Sequence, residues 1–248
     1  MHNRRSSPGE QTDGHLLAGR VRYAQRPDGH RSGIEPVLLA AAIPARPGER
    51  VLEGGSGAGA ALLCLAARVV GLGGVGIERD PDLAALAAQN AAANGWSGLS
   101  FVAADVASRP ALGAFDHACA NPPWHSLAGT PSPDPTRLAA KHAEADLLAT
   151  WATALAGPLR PRGTLTFVMP AAVLPAAVVA FAGAGCPPSA VLPLWAKPGQ
   201  AAKLLLLRGV KGGRSPFRML PGLTLHAPDG AFTAAAEAVL RAGGAIDL

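Results

Sequence analysis

The chain is poor in the features that would tie it to a membrane, a metal or an oxidising compartment. Its three cysteines, Cys64, Cys119 and Cys186, stand far apart in apolar surroundings without C-x-x-C spacing. That excludes a disulfide framework and a cysteine metal site, and it reads them as small core residues. No apolar run is long enough to span a bilayer, and the opening Met1-His2-Asn3-Arg4-Arg5-Ser6-Ser7 lacks the apolar stretch of a secretion signal. A cytoplasmic location with no membrane partner is expected. Internal repeats and low-complexity blocks are also absent, so a solenoid is excluded. Acidic residues are missing altogether from 197–218, where three Lys and three Arg stand.

What is present suits one catalytic module. At 248 residues and 49% hydrophobic the chain can bury one substantial core, enough for a single α/β domain with short appendages. Residues 1–31 carry six Arg against three acids, while 32–196 carry nine basic and eleven acidic side chains. Basic ends around a near-neutral centre suit a polyanion bound across a catalytic site, because phosphate neutralisation dominates sequence-independent nucleic-acid affinity. The competing reading is ordinary solvated charge.

Residues 1–15 are polar and aperiodic and read as a disordered tail; 16–48 read as a cover segment and 49–248 as the main domain. Leu16 to Gln25 can form strand, and Pro36 to Ala42 reads as a short helix with Pro at its first position. From Arg50 onward strands alternate with helices: Val51–Gly54, Ala60–Val70, Gly74–Glu78, Pro81–Asn94, Leu99–Ala103, Phe115–Ala120, Arg137–Ala156, Gly163–Met169 and Leu174–Gly185. That alternation predicts βαβ units around a parallel sheet covered on both faces. Val191–Trp195 and Lys203–Val210 read as a terminal antiparallel pair.

Two segments carry chemistry. In Glu53-Gly54-Gly55-Ser56-Gly57-Ala58-Gly59 a strand turns into a helix, where open α/β sheets bind nucleotides. Glycines there let a ligand approach the backbone, and the helix start offers free N–H groups. The run from Gly55 to Ala60 also satisfies G-x-G-x-x-A, so a dinucleotide is a second reading, with Glu78 as ribose ligand. Glu53 favours a cationic cofactor instead, since a carboxylate before the glycines attracts a positive amino-acid end and repels a pyrophosphate. Glu78 can accept from both ribose hydroxyls, and Asp105 can accept from an adenine amino group or cap a helix.

The second segment is Asn121-Pro122-Pro123-Trp124, after a strand that ends at Ala120. The double proline stops the strand and fixes the backbone, so the Asn121 side-chain oxygen and the Pro122 carbonyl can act together as acceptors. Such a pair suits a planar amino group presented to an electrophilic methyl, with catalysis by positioning rather than by a strong base. Beside Pro123, Trp124 offers a stacking face for a base swung out of its helix.

Together these residues resemble class I S-adenosylmethionine-dependent methyltransferases that act on amino groups, and more narrowly the bacterial adenine methyltransferases of valine tRNA. The resemblance rests on Asp28 to Gly33 running into Val37 to Ala42, on Glu53 to Gly59, on Asn121 to His125, on Gly129 to Asp134, and on Leu194 to Leu248. It implies a Rossmann-like, mostly parallel seven-stranded sheet with an antiparallel last strand. S-adenosylmethionine is the implied cofactor, with contacts at Gly33, Glu53, Gly55, Ser56, Gly57, Gly59, Glu78 and Asp105. It also implies catalysis at Asn121 and Pro122, base contacts at Pro123 and Trp124, and RNA, first of all tRNA, as partner; the scattered cysteines already leave metal chemistry without support. Lys197, Lys203 and Arg208, with Lys211, Arg214 and Arg218, are the expected phosphate contacts. The family usually has Asp at Glu53, Thr-Asp at Ile34-Glu35, and Tyr or Phe at Trp124. Ribosomal-RNA guanine methyltransferases, protein glutamine methyltransferases and a non-catalytic RNA-binding module are the alternatives. The second would normally bring a helical N-terminal domain, and the third sits badly with an intact glycine loop and Asn121.

Overall fold

In the computed structural model of the chain, residues 12–26, 33–124 and 135–248 are described. The order is β1 (Thr12–Leu16), β2 (Val21–Gln25), α1 (Glu35–Ala42), β3 (Arg50–Gly54), α2 (Ala60–Arg68), β4 (Gly73–Glu78) and α3 (Pro81–Ala93). Then come β5 (Leu99–Ala103), β6 (Phe115–Ala120), α4 (Pro135–Ala156), β7 (Leu159–Pro170), α5 (Leu174–Gly183), β8 (Pro188–Trp195) and β9 (Leu204–Val210). The two-residue strands β10 (Arg218–Met219) and β11 (Leu223–Thr224) precede α6 (Ala234–Leu240).

The main sheet runs β5-β4-β3-β6-β7-β9-β8. β9 alone opposes its neighbours, pairing antiparallel with β7 and β8, which is the seven-stranded arrangement expected. β10 and β11 add to it, making a nine-stranded sheet. Both lie parallel on the outer side of β8, where they occupy polar backbone groups that an open edge would leave unpaired.

Val51, Leu52, Ala118 and Cys119 are buried, as strands covered on both faces require. On one face Leu38, Leu39, Leu62, Leu63 and Val239 form a core from α1, α2 and α6. On the other, Leu148, Leu155, Phe167 and Phe181 join α4 and α5 to the sheet, with the two phenylalanine rings edge-on at 4.9 Å. A strand begins at Thr12, paired with Gln25, and burial at Val21 and Tyr23 anchors this hairpin. Six residues of α1, Val37 to Ala42, are buried.

β4 shows how the sequence admits close packing beneath the edge where the glycine loop leaves the sheet. A Cβ on Gly74 would stand 2.6 Å from Leu99 and 3.1 Å from Leu62, and one on Gly76 would stand 2.5 Å from Phe101 and 2.6 Å from Ser56 Oγ. Glycine at 76 therefore lets the Phe101 ring cross β4. Gly76→Ala should cost roughly 1–3 kcal/mol by overpacking, read as a lower urea midpoint with an unchanged slope; an unaltered midpoint would mean that the ring has room to move.

Candidate active site

Parallel register places the two chemical segments side by side. Gly54 of β3 pairs with Ala120 of β6, so the glycine loop and Asn121-Pro122 leave neighbouring strands at one level, about 5 Å apart in the pairing direction. On the other side Gly54 pairs with Ile77, and Glu78 pairs with Ala103. The carboxylates of Glu78 and Asp105 thus follow along the same edge.

The loop is braced from β4. Gly55 and Ser56 donate their N–H groups to the Ile77 carbonyl at 2.8 and 3.0 Å. Gly57 donates to Glu78 Oε2 at 2.8 Å, and the other carboxylate oxygen accepts from Asp80 N at 2.9 Å. Glu78 therefore holds the loop in the free protein. Gly57 lies at φ 54°, with nothing within 4 Å of where a Cβ would stand, so this apex faces open space. Gly55 lies at φ 65°, and a Cβ there would come 2.7 Å from the Trp151 ring. Gly59 is packed instead, its Cβ position 3.0 Å from Phe101. The Ser56 side chain is buried under the loop toward Gly76, and its Oγ has no partner; its N–H and carbonyl are engaged by Ile77 and Gly59.

Glu53 is 4% exposed and accepts from Leu62 N at 3.3 Å, at the start of α2. Burial pushes its carboxyl up to about 8, with the Leu62 N–H opposing and the Glu78 charge adding to the rise. Asp105 is exposed and caps the short turn Val106–Ser108, accepting from Ala107 N at 2.8 Å. Asn121 and Trp124 are half-buried, Pro122 is buried and Pro123 exposed. The Trp124 Nε1 is buried without a partner. Gly33 lies just before α1, close to the Glu35 carboxylate. His125, the stretch 28–32 and the stretch 129–134 lie outside the described residues.

The basic segment divides. Arg208 is 7% exposed and donates to the Ala42 carbonyl and, at 2.8 Å, to that of Leu248; burial lowers its pKa to about 10. It ties β9 to α1 and the C-terminal stretch, so its guanidinium is engaged by backbone carbonyls in the free protein. Lys211 Nζ is likewise engaged, donating to Ala156, Gly157 and Leu159 carbonyls at 2.9, 2.8 and 2.7 Å. Because Leu204 pairs with Pro170 and Val210 with Thr164, β9 descends from the Asn121 edge to the opposite one. Lys197 and Lys203 stay at the upper edge, while Arg214 lies beyond the lower one. Among the described residues no group of three His, Cys, Asp or Glu could hold a metal.

Three residues escaped the sequence reading: Trp151, over Gly55; Phe101, across Gly76 and Gly59; and Asn90, which donates to the Ala58 carbonyl at 3.0 Å. Asn90 and Asn94, four apart on one helix face, were the available signal.

The sheet order is that of the Rossmann-like class I methyltransferase fold. Residues 35–150 match the family model of the methyltransferase small domain. It is 33% identical over 146 residues to a tRNA1(Val) (adenine(37)-N6)-methyltransferase of Aeromonas hydrophila, covering 57% of this chain and 60% of that protein. A predicted O-methyltransferase from Agrobacterium tumefaciens superposes with TM-score 0.71 at 20% identity, over 86% of this chain and 99% of that one. The Thermus thermophilus 16S rRNA N2 G1207 methyltransferase, in complex with AdoMet and guanosine, gives TM-score 0.56 at 19% identity, over 82% and 50%. At these identities the two structures establish the fold alone. No helix among the described residues is long and apolar enough to cross a membrane.

The residues present fit S-adenosylmethionine. The Glu78 carboxylate at the end of β4 and the open space at Gly57 suit a cation-bearing ligand, whereas a pyrophosphate would meet the Glu78 charge. Glu53 is costly in the free protein, and the sign follows from its raised pKa. The unfolded chain loses this proton near 4.5 and the folded chain near 8, so the folded state binds more protons and the stability contributed below 4.5 is lost as pH rises to 8. Compared with the parent, Glu53→Gln should gain about 1.4 kcal/mol of relative stability per pH unit across that window and no more above it. Urea melts of both proteins from pH 5 to 9 measure this; parallel stability curves would place the Glu53 charge in water.

Proposed function

We propose that the chain is an S-adenosylmethionine-dependent methyltransferase that modifies an exocyclic amino group of an RNA base, with adenine in tRNA as the first candidate. The observation that carries the reading is the register of β3 with β6, which brings the glycine loop and Asn121-Pro122 out of adjacent strands at one level. The relative from Aeromonas hydrophila supports the acceptor.

In this reading Glu78 and the Gly57 apex hold the ribose end of the cofactor, Glu53 draws the amino-acid end, and Asp105 lies by the adenine. When bound, S-adenosylmethionine supplies a methyl group on a sulfonium centre. The Asn121 side-chain oxygen and the Pro122 carbonyl accept the two N–H bonds of the acceptor amine and hold its nitrogen toward the loop. Trp124 lies against the base, and Trp151, seated on Gly55, narrows access to water. Since the amine nitrogen attacks with its lone pair and loses its proton afterwards, no strong base is required.

Asn121→Ala should bind the cofactor as the parent does while turnover falls about 100-fold or more, because orientation at the reacting nitrogen is lost. Methylation of bulk tRNA by both proteins, with nucleoside mass spectrometry of RNA from cells with and without the gene, tests mechanism and base together. A parental rate from Asn121→Ala would sink the amine clamp, and a missing N2-methylguanosine would move the acceptor to guanine. Replacing Lys197 and Lys203 by Ala should flatten the salt dependence of RNA binding by about two counterions. Replacing Arg214 and Arg218 should leave the slope near parental, and the reverse result would place RNA on the lower edge.

A further inference from the structure

The N-terminal hairpin is fastened to the glycine loop rather than resting on it. Asn90 of α3 is 3% exposed. Its Oδ1 accepts from Ala24 N at 2.8 Å, and its Nδ2 donates to the Ala24 carbonyl at 2.9 Å and to the Ala58 carbonyl at 3.0 Å. One turn further on, Asn94 repeats the first pattern on β2, accepting from Arg22 N at 2.9 Å and donating to the Arg22 carbonyl at 2.8 Å. The spacings match: four helical residues rise about 6 Å and two strand residues about 6.6 Å. The two amides thus serve as a partner strand for the outer side of β2. Arg26 at the hairpin's end pairs with Asp80 at 2.8 Å and Asp82 at 3.0 Å, and Asp80 donates its N–H to Glu78.

Two of the groups that hold the loop, the Asn90 amide on the Ala58 carbonyl and the Glu78 carboxylate on Gly57, are therefore joined to one hairpin. Of the two asparagines, the hydrogen bonds of Asn90 reach the hairpin and the loop at once. We propose that Asn90 is a positioning residue that couples the docked hairpin to the conformation of the glycine loop, so that cofactor binding and hairpin docking reinforce each other. The assignment rests on the cofactor reading above. Loop order gained on binding passes through Ala58 to β2, and by reciprocity a loosened hairpin weakens the cofactor.

The test uses the full chain and S-adenosylhomocysteine, with calorimetry and amide hydrogen exchange. In the parent, saturation with this ligand should slow exchange at the Arg22 and Ala24 amides. Asn90→Leu removes all three contacts. Asn90→Asp keeps acceptance from Ala24 N and turns an oxygen toward two carbonyls. Both should raise Kd about three- to tenfold, the worth of one lost hydrogen bond at the loop. Asn94→Leu loosens the same hairpin but keeps the Asn90 link to the loop, so by the same coupling it should raise Kd too, by about twofold and less than the Asn90 variants. The proposal falls if the parent's hairpin amides ignore the ligand, a measurement that needs no variant to fold. It also falls if folded Asn90 variants bind like the parent, or if Asn94→Leu weakens binding as much as they do. A parent that binds neither S-adenosylmethionine nor its product overturns the cofactor reading itself, which separates that failure from the others.

Discussion

Everything at the candidate site depends on the level at which parallel strands stop. Gly54 beside Ala120, and Ile77 beside Gly54, mean that three successive strands release their chains along one edge. Side-chain packing fixes this level, because a slip of one residue would exchange Val51 and Leu52 between the two cores they fill. The loop, the carboxylates and Asn121-Pro122 are brought together by a register that buried strands enforce from below.

The edge itself is held by groups that would otherwise be liabilities. Glu78 uses both carboxylate oxygens on backbone N–H groups, one of them in the glycine loop, so a ligand arrives at a loop already in place. Glu53 does the opposite: buried and driven toward its neutral form, it costs the free protein stability that a bound cation can return. Ser56 Oγ and Trp124 Nε1 remain without partners. Such groups concentrate where a fold gives up some stability for binding.

The C-terminal third is decided by strand direction. Because β9 runs against its neighbours, one short stretch of sequence crosses from the Asn121 edge to the far edge, carrying Lys203 at one end and Lys211 near the other. Between them Arg208 is drawn inward to carbonyls on α1 and at the C-terminal stretch. Net charge in a window is thus a poor guide to a basic surface where the chain threads through a sheet. On the opposite margin, β10 and β11 close the outer side of β8 with only two residues each, too short for strand periodicity to register.

The sequence alone determined the alternation of strands and helices from Val51 to Val210, the place of the glycine loop at a strand end, and the Asn-Pro-Pro-Trp segment after Ala120. These follow from local rules: apolar runs of strand length, glycines where a chain must turn under a ligand, and prolines that forbid a strand to continue. It did not determine which side chains reach the site. Arg208 sits in Leu204-Leu205-Leu206-Leu207-Arg208, where a run of leucines erases the period that would assign it a face. Trp151 and Asn90 touch the loop from helices 96 and 32 residues away from Gly55 and Ala58. Only tertiary packing could decide these, because a contact between distant residues depends on which helix face meets which loop, and that is fixed by the whole sheet at once.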